Sequence, residues 1–93
     1  AGPMTIEVRS GQAVDIRIGT KNVAEIGCGA FVEMTPGLRD KPPLPWDLKV
    51  VRGSEVLWAG AVSEQPMWML VTADGVMVGD APPVGPDGPP CSL

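Results

Sequence analysis

The residues best suited to covalent chemistry are the two cysteines of the chain, Cys28 and Cys91. Cys28 lies within an apolar run, whereas Cys91 follows residues 81–90, which are rich in proline and glycine. That stretch has no apolar periodicity with which it could pack unaided, so a disulfide to Cys28 would hold it against the domain. We therefore predict a Cys28–Cys91 disulfide that makes residues 82–90 an ordered strap over an open end of the core.

The disulfide also predicts a compartment, because such bonds persist in oxidising surroundings. The protein is accordingly expected to be extracytoplasmic: secreted, periplasmic or displayed at a cell surface. Residues 1–3 resemble the remnant of a cleaved tag, and if Met4 is the native start the protein is instead cytoplasmic with free thiols. We divide the sequence into that remnant, one domain over residues 4–80, and a tail over residues 81–93 that the disulfide ties back.

Three methionines form the second group of residues with possible chemistry. Met67 and Met69 would project from one face of a strand, and Met77 lies on the strand that returns beside it. Thioethers are soft ligands that suit Cu(I), so a soft-metal carrier is one alternative function. Methionine also fills irregular gaps in a core or forms an adaptable contact surface, and we favour that interpretation. We therefore predict no metal site and no cofactor.

The chain contains neither histidine nor tyrosine. Ser-His-Asp and Cys-His catalysis within the chain are thereby excluded, as is a structural zinc site, which needs four ligands. The glycines do not form a phosphate-binding motif, and the carboxylates show no pairing that would indicate acid/base chemistry. We predict that the protein is not an enzyme.

The distribution of charge argues against nucleic-acid binding, and the length of the apolar runs argues against membrane insertion. The net charge is −4, and the seven Lys and Arg residues are spread along the chain rather than gathered in a basic stripe. Nucleic-acid binding, which needs such a stripe to neutralise phosphates, is not expected. No apolar run is long enough to span a bilayer, so membrane insertion is not expected either.

Glycine and proline at short intervals, with Val, Ile and Trp between them, predict short strands rather than helices. We expect an all-β fold: a small antiparallel β-sandwich, immunoglobulin-like in the broad sense, with about seven strands, and a small β-barrel as the alternative. The predicted strands are Thr5–Arg9, Ala13–Ile18, Val23–Met34, Trp46–Arg52, Glu55–Val62, Met67–Thr72 and Val76–Asp80. Tight turns are predicted at Gly53-Ser54 and Asp74-Gly75.

Two surfaces are candidates for protein binding. The run Met67–Val71 is apolar on both faces, so it is either a central strand covered on both sides or a strand whose outer face contacts a partner. A Gly53-Ser54 turn would place Trp58 on an outer face, opposite Lys49. With Trp58, Met67 and Met69 we predict a patch that binds a protein partner or a second copy of the chain.

The proline-rich loop Leu38–Pro45 is the other candidate surface. Stiff extended segments lose little entropy on docking, so Leu44 and Pro45 join the predicted protein-binding residues. A small protease inhibitor that presents this loop to a protease cleft is a further alternative function. The ordinary interpretation is a crossover loop of the sandwich that proline stiffens.

Overall fold

Eight short β-strands build the protein in the computed structural model, which describes residues 4–9, 11–39, 41–63 and 67–79. Sheet A has the strand order β4-β1-β7-β8, and sheet B has the order β3-β2-β5-β6. The strands are β1 Met4–Val8, β2 Val14–Ile18, β3 Lys21–Ile26, β4 Phe31–Met34, β5 Trp46–Arg52, β6 Glu55–Val62, β7 Met67–Thr72 and β8 Gly75–Gly79.

The two sheets pack together as a small β-sandwich and do not close into a barrel, so the predicted fold class is confirmed. One strand pair departs from the expected antiparallel arrangement. β1 and β7 run parallel, with Met4 opposite Met67 and Val8 opposite Val71. A parallel pair needs a long connection, and here the whole of sheet B lies between the two strands in the sequence.

Alternating apolar side chains supply the core between the sheets, as the period-two pattern predicted. In β2 the pattern is strict: Val14, Ile16 and Ile18 are buried, whereas Arg17 between them is exposed. The buried core consists of Met4, Ile6, Val8, Val14, Ile16, Ile18, Ile26, Met34, Trp46, Leu48, Val50, Val62, Met69 and Val71.

The predicted long strand Val23–Met34 is two strands in different sheets, so the described residues contain eight strands where about seven were expected. β3 ends at Ile26 in sheet B, and β4 begins at Phe31 in sheet A. Between them the Gly29 N–H donates to the Val8 carbonyl at 2.8 Å, with Gly29 at a φ of +88°. The left-handed conformation, which glycine adopts without steric cost, allows the chain to cross between the sheets here.

The β5–β6 hairpin turns at Gly53-Ser54 as predicted, with Arg52 opposite Glu55. Beyond the turn the predicted pairing is wrong by one residue, because a β-bulge between Val50 and Val51 shifts the register. Trp58 therefore lies opposite Val50 rather than Lys49. A shift of one residue moves a side chain to the other face of a sheet, so Trp58 lies on the inner side, partly buried against the core.

The β7–β8 turn is also displaced by one residue from the predicted Asp74-Gly75. Thr72 pairs with Gly75, so the two turn residues are Ala73 and Asp74. The buried Thr72 hydroxyl accepts the Asp74 N–H at 3.2 Å and donates to the Gly75 carbonyl at 3.3 Å. A threonine hydroxyl that bonds the backbone two residues on stabilises a turn locally, and that chemistry positions this turn.

Two side chains of β5 close the opposite ends of the sandwich. At one end the Trp46 indole N–H donates to the Pro42 carbonyl at 2.7 Å and so ties the proline-rich loop to the core. At the other end the Arg52 guanidinium donates to the Gln12 carbonyl at 3.1 Å and to the Thr72 carbonyl at 3.3 Å. Because Thr72 is in sheet A and Arg52 in sheet B, this guanidinium links the two sheets.

Candidate functional site

The structure separates the residues that were predicted to form one protein-binding patch. Met69 is fully buried, so it belongs to the core and is not available to a partner in this fold. Met67 and Leu44 are half-buried and pack against the same core, whereas Pro45 is exposed. Trp58 is half-buried on β6. Of the five, Trp58 is the one that lies on a strand at the edge of a sheet.

The three methionines considered for Cu(I) do not converge. Met69 faces the core, and Met77 lies opposite Leu70 on the other face of sheet A. A soft-metal site needs its thioethers on one side of the hairpin, and the register places the sheet between them. Within the described ranges, no group of three or more His, Cys, Asp and Glu side chains could hold a metal ion.

The start of the proline-rich loop, where Leu38 and Arg39 lie, is a compact turn rather than an extended segment. The Gly37 N–H donates to the Lys41 carbonyl at 3.1 Å, and the Lys41 N–H donates to the Leu38 carbonyl at 3.2 Å. Arg39 between them has a φ of +59°, in the left-handed region that an extended peptide does not use. A protease cleft that binds its ligand as an added strand requires extended backbone, so this geometry does not favour the inhibitor alternative.

A cavity of about 340 Å³ opens beside this loop, between it and β3. Lys21, Arg39 and Lys41 line it together with the apolar residues Ile18, Val23 and Pro42. Three of the seven basic residues of an acidic chain therefore meet at one end of the sandwich. This end is locally basic, in contrast to the net charge of the whole sequence.

The outer edge of β6, which we call the β6 edge, is the longest strand edge in the described part of the chain. β6 has eight residues, and within the same ranges β5 is its strand partner in sheet B. The seven residues from Val56 to Val62 carry no charge and include no proline. Val56 is 52% exposed on the outer face, and Ala59 and Ala61 are exposed as well.

The other three strand edges are shorter or carry charge. β3 includes Lys21 and Glu25, and β4 has four residues including Glu33. β8 has five residues between Gly75 and Gly79. Charge and shortness are the means by which proteins prevent strands from pairing at their edges. β6 has neither, apart from Glu55 at its first position.

Trp58 covers the inner side of the β6 edge. A Cβ built on Gly60 would lie 2.9 Å from the far end of the Trp58 indole, so the ring extends along the strand over this glycine. The glycine makes room for the ring, and the ring shields the backbone on that side. On the outer side Val56 and Ala59 are small and exposed, so they do not cover the backbone of β6. The backbone N–H and C=O groups of the β6 edge therefore lie between the Trp58 ring on the inner side and small side chains on the outer side.

The predicted disulfide involves a residue outside the described ranges. Cys28 is half-buried and packs against the core in the connection from β3 to β4. Cys91, the rest of residues 81–93 and residues 1–3 lie outside the described residues, so the predicted strap remains a prediction. No helix long and apolar enough to cross a membrane is found in the part of the chain that the structure describes.

Sequence reasoning missed that β6 lies at an edge, because strand order depends on contacts between distant parts of the chain. The available signal was the uncharged run Val56–Val62, which is typical of strands that pair with other chains. It also missed Phe31, which is 60% exposed on β4. No protein-family model matches the sequence, and no curated protein or solved structure is similar to it at a significant level.

Proposed function

We propose that the protein is a non-enzymatic, extracytoplasmic assembly module that binds a second copy of itself through the β6 edge. The observation that carries this proposal is the edge itself: eight residues long, uncharged from Val56 to Val62, and paired on one side within the described chain. Exposed strand edges bind other strands through main-chain hydrogen bonds. The proposal keeps the protein-binding function predicted from the sequence but moves it from a sheet face to a strand edge.

The bulge in β6 determines which residues can pair. Beyond Leu57 the strand alternates regularly, with Trp58, Gly60 and Val62 on the inner side and Ala59 and Ala61 on the outer side. Two antiparallel copies that are centred on Gly60 would place Trp58 opposite Val62 and Ala59 opposite Ala61. Residues directly opposite each other in antiparallel strands point to the same face, and this pairing satisfies that rule at every position.

A second copy suits this edge better than a charged partner does. The five residues from Trp58 to Val62 are uncharged and small at the centre, so two backbones can approach without like charges meeting. The pairing surface is identical on both copies, as a two-fold interface requires. Because five residue pairs form a small interface, we expect a weak dimer with a Kd of roughly tens to hundreds of micromolar.

The test is sedimentation equilibrium of the whole protein at several concentrations. We expect the average mass to rise with concentration from 9.7 kDa toward twice that value. An unchanged monomer up to millimolar concentration would contradict self-association, and a strand from another protein would then be the remaining occupant of the edge.

Two matched double variants test the proposed pairing. Ala59→Lys with Ala61→Lys places like charges opposite each other across the interface, so the dimer should be lost. Ala59→Glu with Ala61→Lys places opposite charges there, and each new charge also faces its complement within the hairpin, Lys49 or Asp47. This second variant should still form the dimer. Loss of association in both variants, with both folded, would contradict the proposed register.

The extracytoplasmic location rests on the disulfide, which we propose joins Cys28 to Cys91. Cys28 does not carry a free thiol in the structure, and this supports the proposal. Trypsin should release residues 22–39 and 53–93 as one species that separates on reduction. Alkylation of two thiols in unreduced protein would contradict the bond and remove the argument for an oxidising compartment.

A further inference from the structure

Two departures from regular backbone geometry lie beside the cavity between β3 and the proline-rich loop. One is a β-bulge in the pairing of β2 with β3, where the register shifts between Ile16 and Arg17. The other is Arg39, a residue with a side chain whose φ of +59° is in the left-handed region. Bulges and strained residues recur at binding sites, where they direct a side chain toward a ligand. Each of these two brings a cationic side chain to the cavity.

The bulge determines the direction of Lys21. Val23 is the extra residue of the bulge, because the pairing steps from Ala24 directly to Asn22 along β3. Beyond the bulge Lys21 lies opposite Ile18, which belongs to the core on the inner face of sheet B. Residues directly opposite each other share a face, so Lys21 points to the inner side at the end of the sandwich. Without the extra residue Lys21 would shift by one position and lie on the outer face.

Arg39 occupies a backbone position that would suit glycine. The left-handed region is unfavourable for residues with a Cβ, and the same turn already uses Gly37 at a φ of +75°. Hydrogen bonds hold the turn in this shape: the Leu38 N–H donates to the Thr35 carbonyl at 3.2 Å, and the Lys41 N–H donates to the Leu38 carbonyl at 3.2 Å. The arginine side chain lines the cavity, and this placement accounts for an arginine where the backbone favours glycine.

The apolar walls of the cavity are anchored to the core. The Pro42 carbonyl accepts the indole N–H of the buried Trp46 at 2.7 Å and the Gly37 N–H at 3.3 Å. On the other wall Ile18 is a member of the core, and Val23 packs against it. Walls that are already in place cost a ligand little ordering entropy when it binds.

The charged groups of the cavity have one sign. Lys21, Arg39 and Lys41 line it, and the described residues of its lining include no carboxylate. Glu33 lines an adjacent cavity of about 260 Å³ with Arg39 and Lys41, and it is not part of this one. Cations beside aliphatic walls suit a ligand that is both anionic and partly apolar.

We propose that this cavity binds a small organic carboxylate, with the carboxylate held by Lys21 and Arg39 and an apolar body on Ile18, Val23 and Pro42. The planar guanidinium matches the two oxygens of a carboxylate, and an inorganic anion would leave the aliphatic walls without a contact. The volume of about 340 Å³ has room for about ten non-hydrogen atoms at about 30 Å³ each, about the size of octanoate.

The inference does not rest on self-association. β3 and β6 are the opposite edges of sheet B, so the cavity beside β3 is remote from the β6 edge. A ligand in the cavity and a second copy on β6 can therefore bind at the same time.

The test is an amide NMR titration of the whole protein with sodium octanoate at low salt. We expect the amides of Lys21, Val23 and Arg39 to shift with a Kd of about 0.1–1 mM, and the affinity to fall as salt is added. Octanamide has the same chain without the charge, and acetate has the charge without the chain. Each of these controls should bind at least about tenfold more weakly than octanoate.

Three variants locate the binding. Arg39→Gly removes the guanidinium and supplies the residue that the left-handed backbone favours, so the variant should be folded and at least as stable as the parent. Arg39→Gly and Lys21→Gln should each weaken octanoate binding about threefold to tenfold. Arg17→Gln is the matched control, because it removes the same charge from an exposed side chain on the outer face of β2, and it should leave the affinity unchanged.

Several results would overturn the inference. Octanamide that binds as tightly as octanoate would show that the cations do not select the ligand. Equal losses of affinity in Arg17→Gln and Arg39→Gly would show a general effect of charge rather than a site. Amide shifts confined to β6, or no shifts at octanoate concentrations well above the expected Kd, would show that the cavity does not bind the carboxylate. None of these results bears on association through the β6 edge, which sedimentation measures separately.

Discussion

Replacing Gly11 with alanine tests how the sandwich is held together at the Arg52 end. Gly11 has a φ of +89°, and a Cβ at this position would lie 2.7 Å from a terminal nitrogen of Arg52. The guanidinium is the far end of a flexible side chain, so it can move, but moving separates it from the Gln12 and Thr72 carbonyls. The substitution therefore adds backbone strain and weakens the link between the sheets.

The two contributions have separable magnitudes. Alanine in the left-handed region costs about 1 kcal/mol. Hydrogen bonds from a charged donor contribute about 1.5 kcal/mol each when buried, and less here because one of the two is exposed, so together they contribute about 2 kcal/mol. We expect Gly11→Ala to lower the free energy of unfolding by about 2–3 kcal/mol, of which about 1 kcal/mol is strain.

Urea denaturation followed by tryptophan fluorescence measures the effect in a double-mutant cycle. In an Arg52→Ala background the same Gly11→Ala change should cost only the strain, about 1 kcal/mol. Gly19→Ala is the matched control, because Gly19 also has a positive φ, +64°, but a Cβ there would have no neighbouring atom within 4 Å. If Gly11→Ala costs the same with and without Arg52, the guanidinium does not respond to Gly11 and the reasoning is wrong.

Four further substitutions test the core, the proline-rich loop and the turn by the same denaturation assay. Trp46→Phe removes the indole donor to the Pro42 carbonyl and should destabilise by about 1–3 kcal/mol; no change would show that the loop is not held by that bond. Met69 is buried and Met77 is exposed. Met69→Ala should therefore lower the free energy of unfolding by about 2–5 kcal/mol, and Met77→Ala by less than about 0.5 kcal/mol. Equal costs would contradict the pairing of β7 with β8. Thr72→Val removes the hydroxyl that bonds two backbone groups of the β7–β8 turn and should cost about 1–3 kcal/mol, whereas an unchanged midpoint would show that the hydroxyl does not stabilise the turn.

Alternation of apolar and polar residues predicted the strands whose two faces differ most. Val14–Ile18 has a strict alternation and forms β2, and Trp46–Arg52 forms β5 with the predicted bounds. Local chemistry was also sufficient for the Gly53-Ser54 turn, where a glycine at φ +63° meets the requirement of a two-residue hairpin. These features depend on neighbours in the sequence, so the sequence alone could reveal them.

Register was less predictable because single residues decide it. The bulge at Val50 and Val51 moves Trp58 from the outer face to the inner one, and no signal in the sequence marks it. At the other hairpin an Asp-Gly pair suggested the turn, but the Thr72 hydroxyl bonds the backbone so that Ala73 and Asp74 form it instead. Such competing local hydrogen bonds differ by about 1 kcal/mol, which residue patterns do not resolve.

Strand order was not predictable from local patterns at all. The parallel pairing of β1 with β7 joins Met4 to Met67, and the sandwich is completed only when that contact forms. The same long-range arrangement makes β6 an edge and β7 a central strand. For this reason the predicted binding patch combined Trp58 at an edge with Met69 in the core, two residues that the fold separates.

The most direct test of assembly through the β6 edge is amide hydrogen exchange of the whole protein at low and high concentration. Every second N–H of β6 points away from β5, and in the dimer these groups would bond the second copy. We predict that exchange of outward amides between Trp58 and Val62 slows as concentration rises, while amides of the charged edge strand β3 exchange at a constant rate. Unchanged exchange along β6 at concentrations where the measured mass increases would contradict the proposed interface.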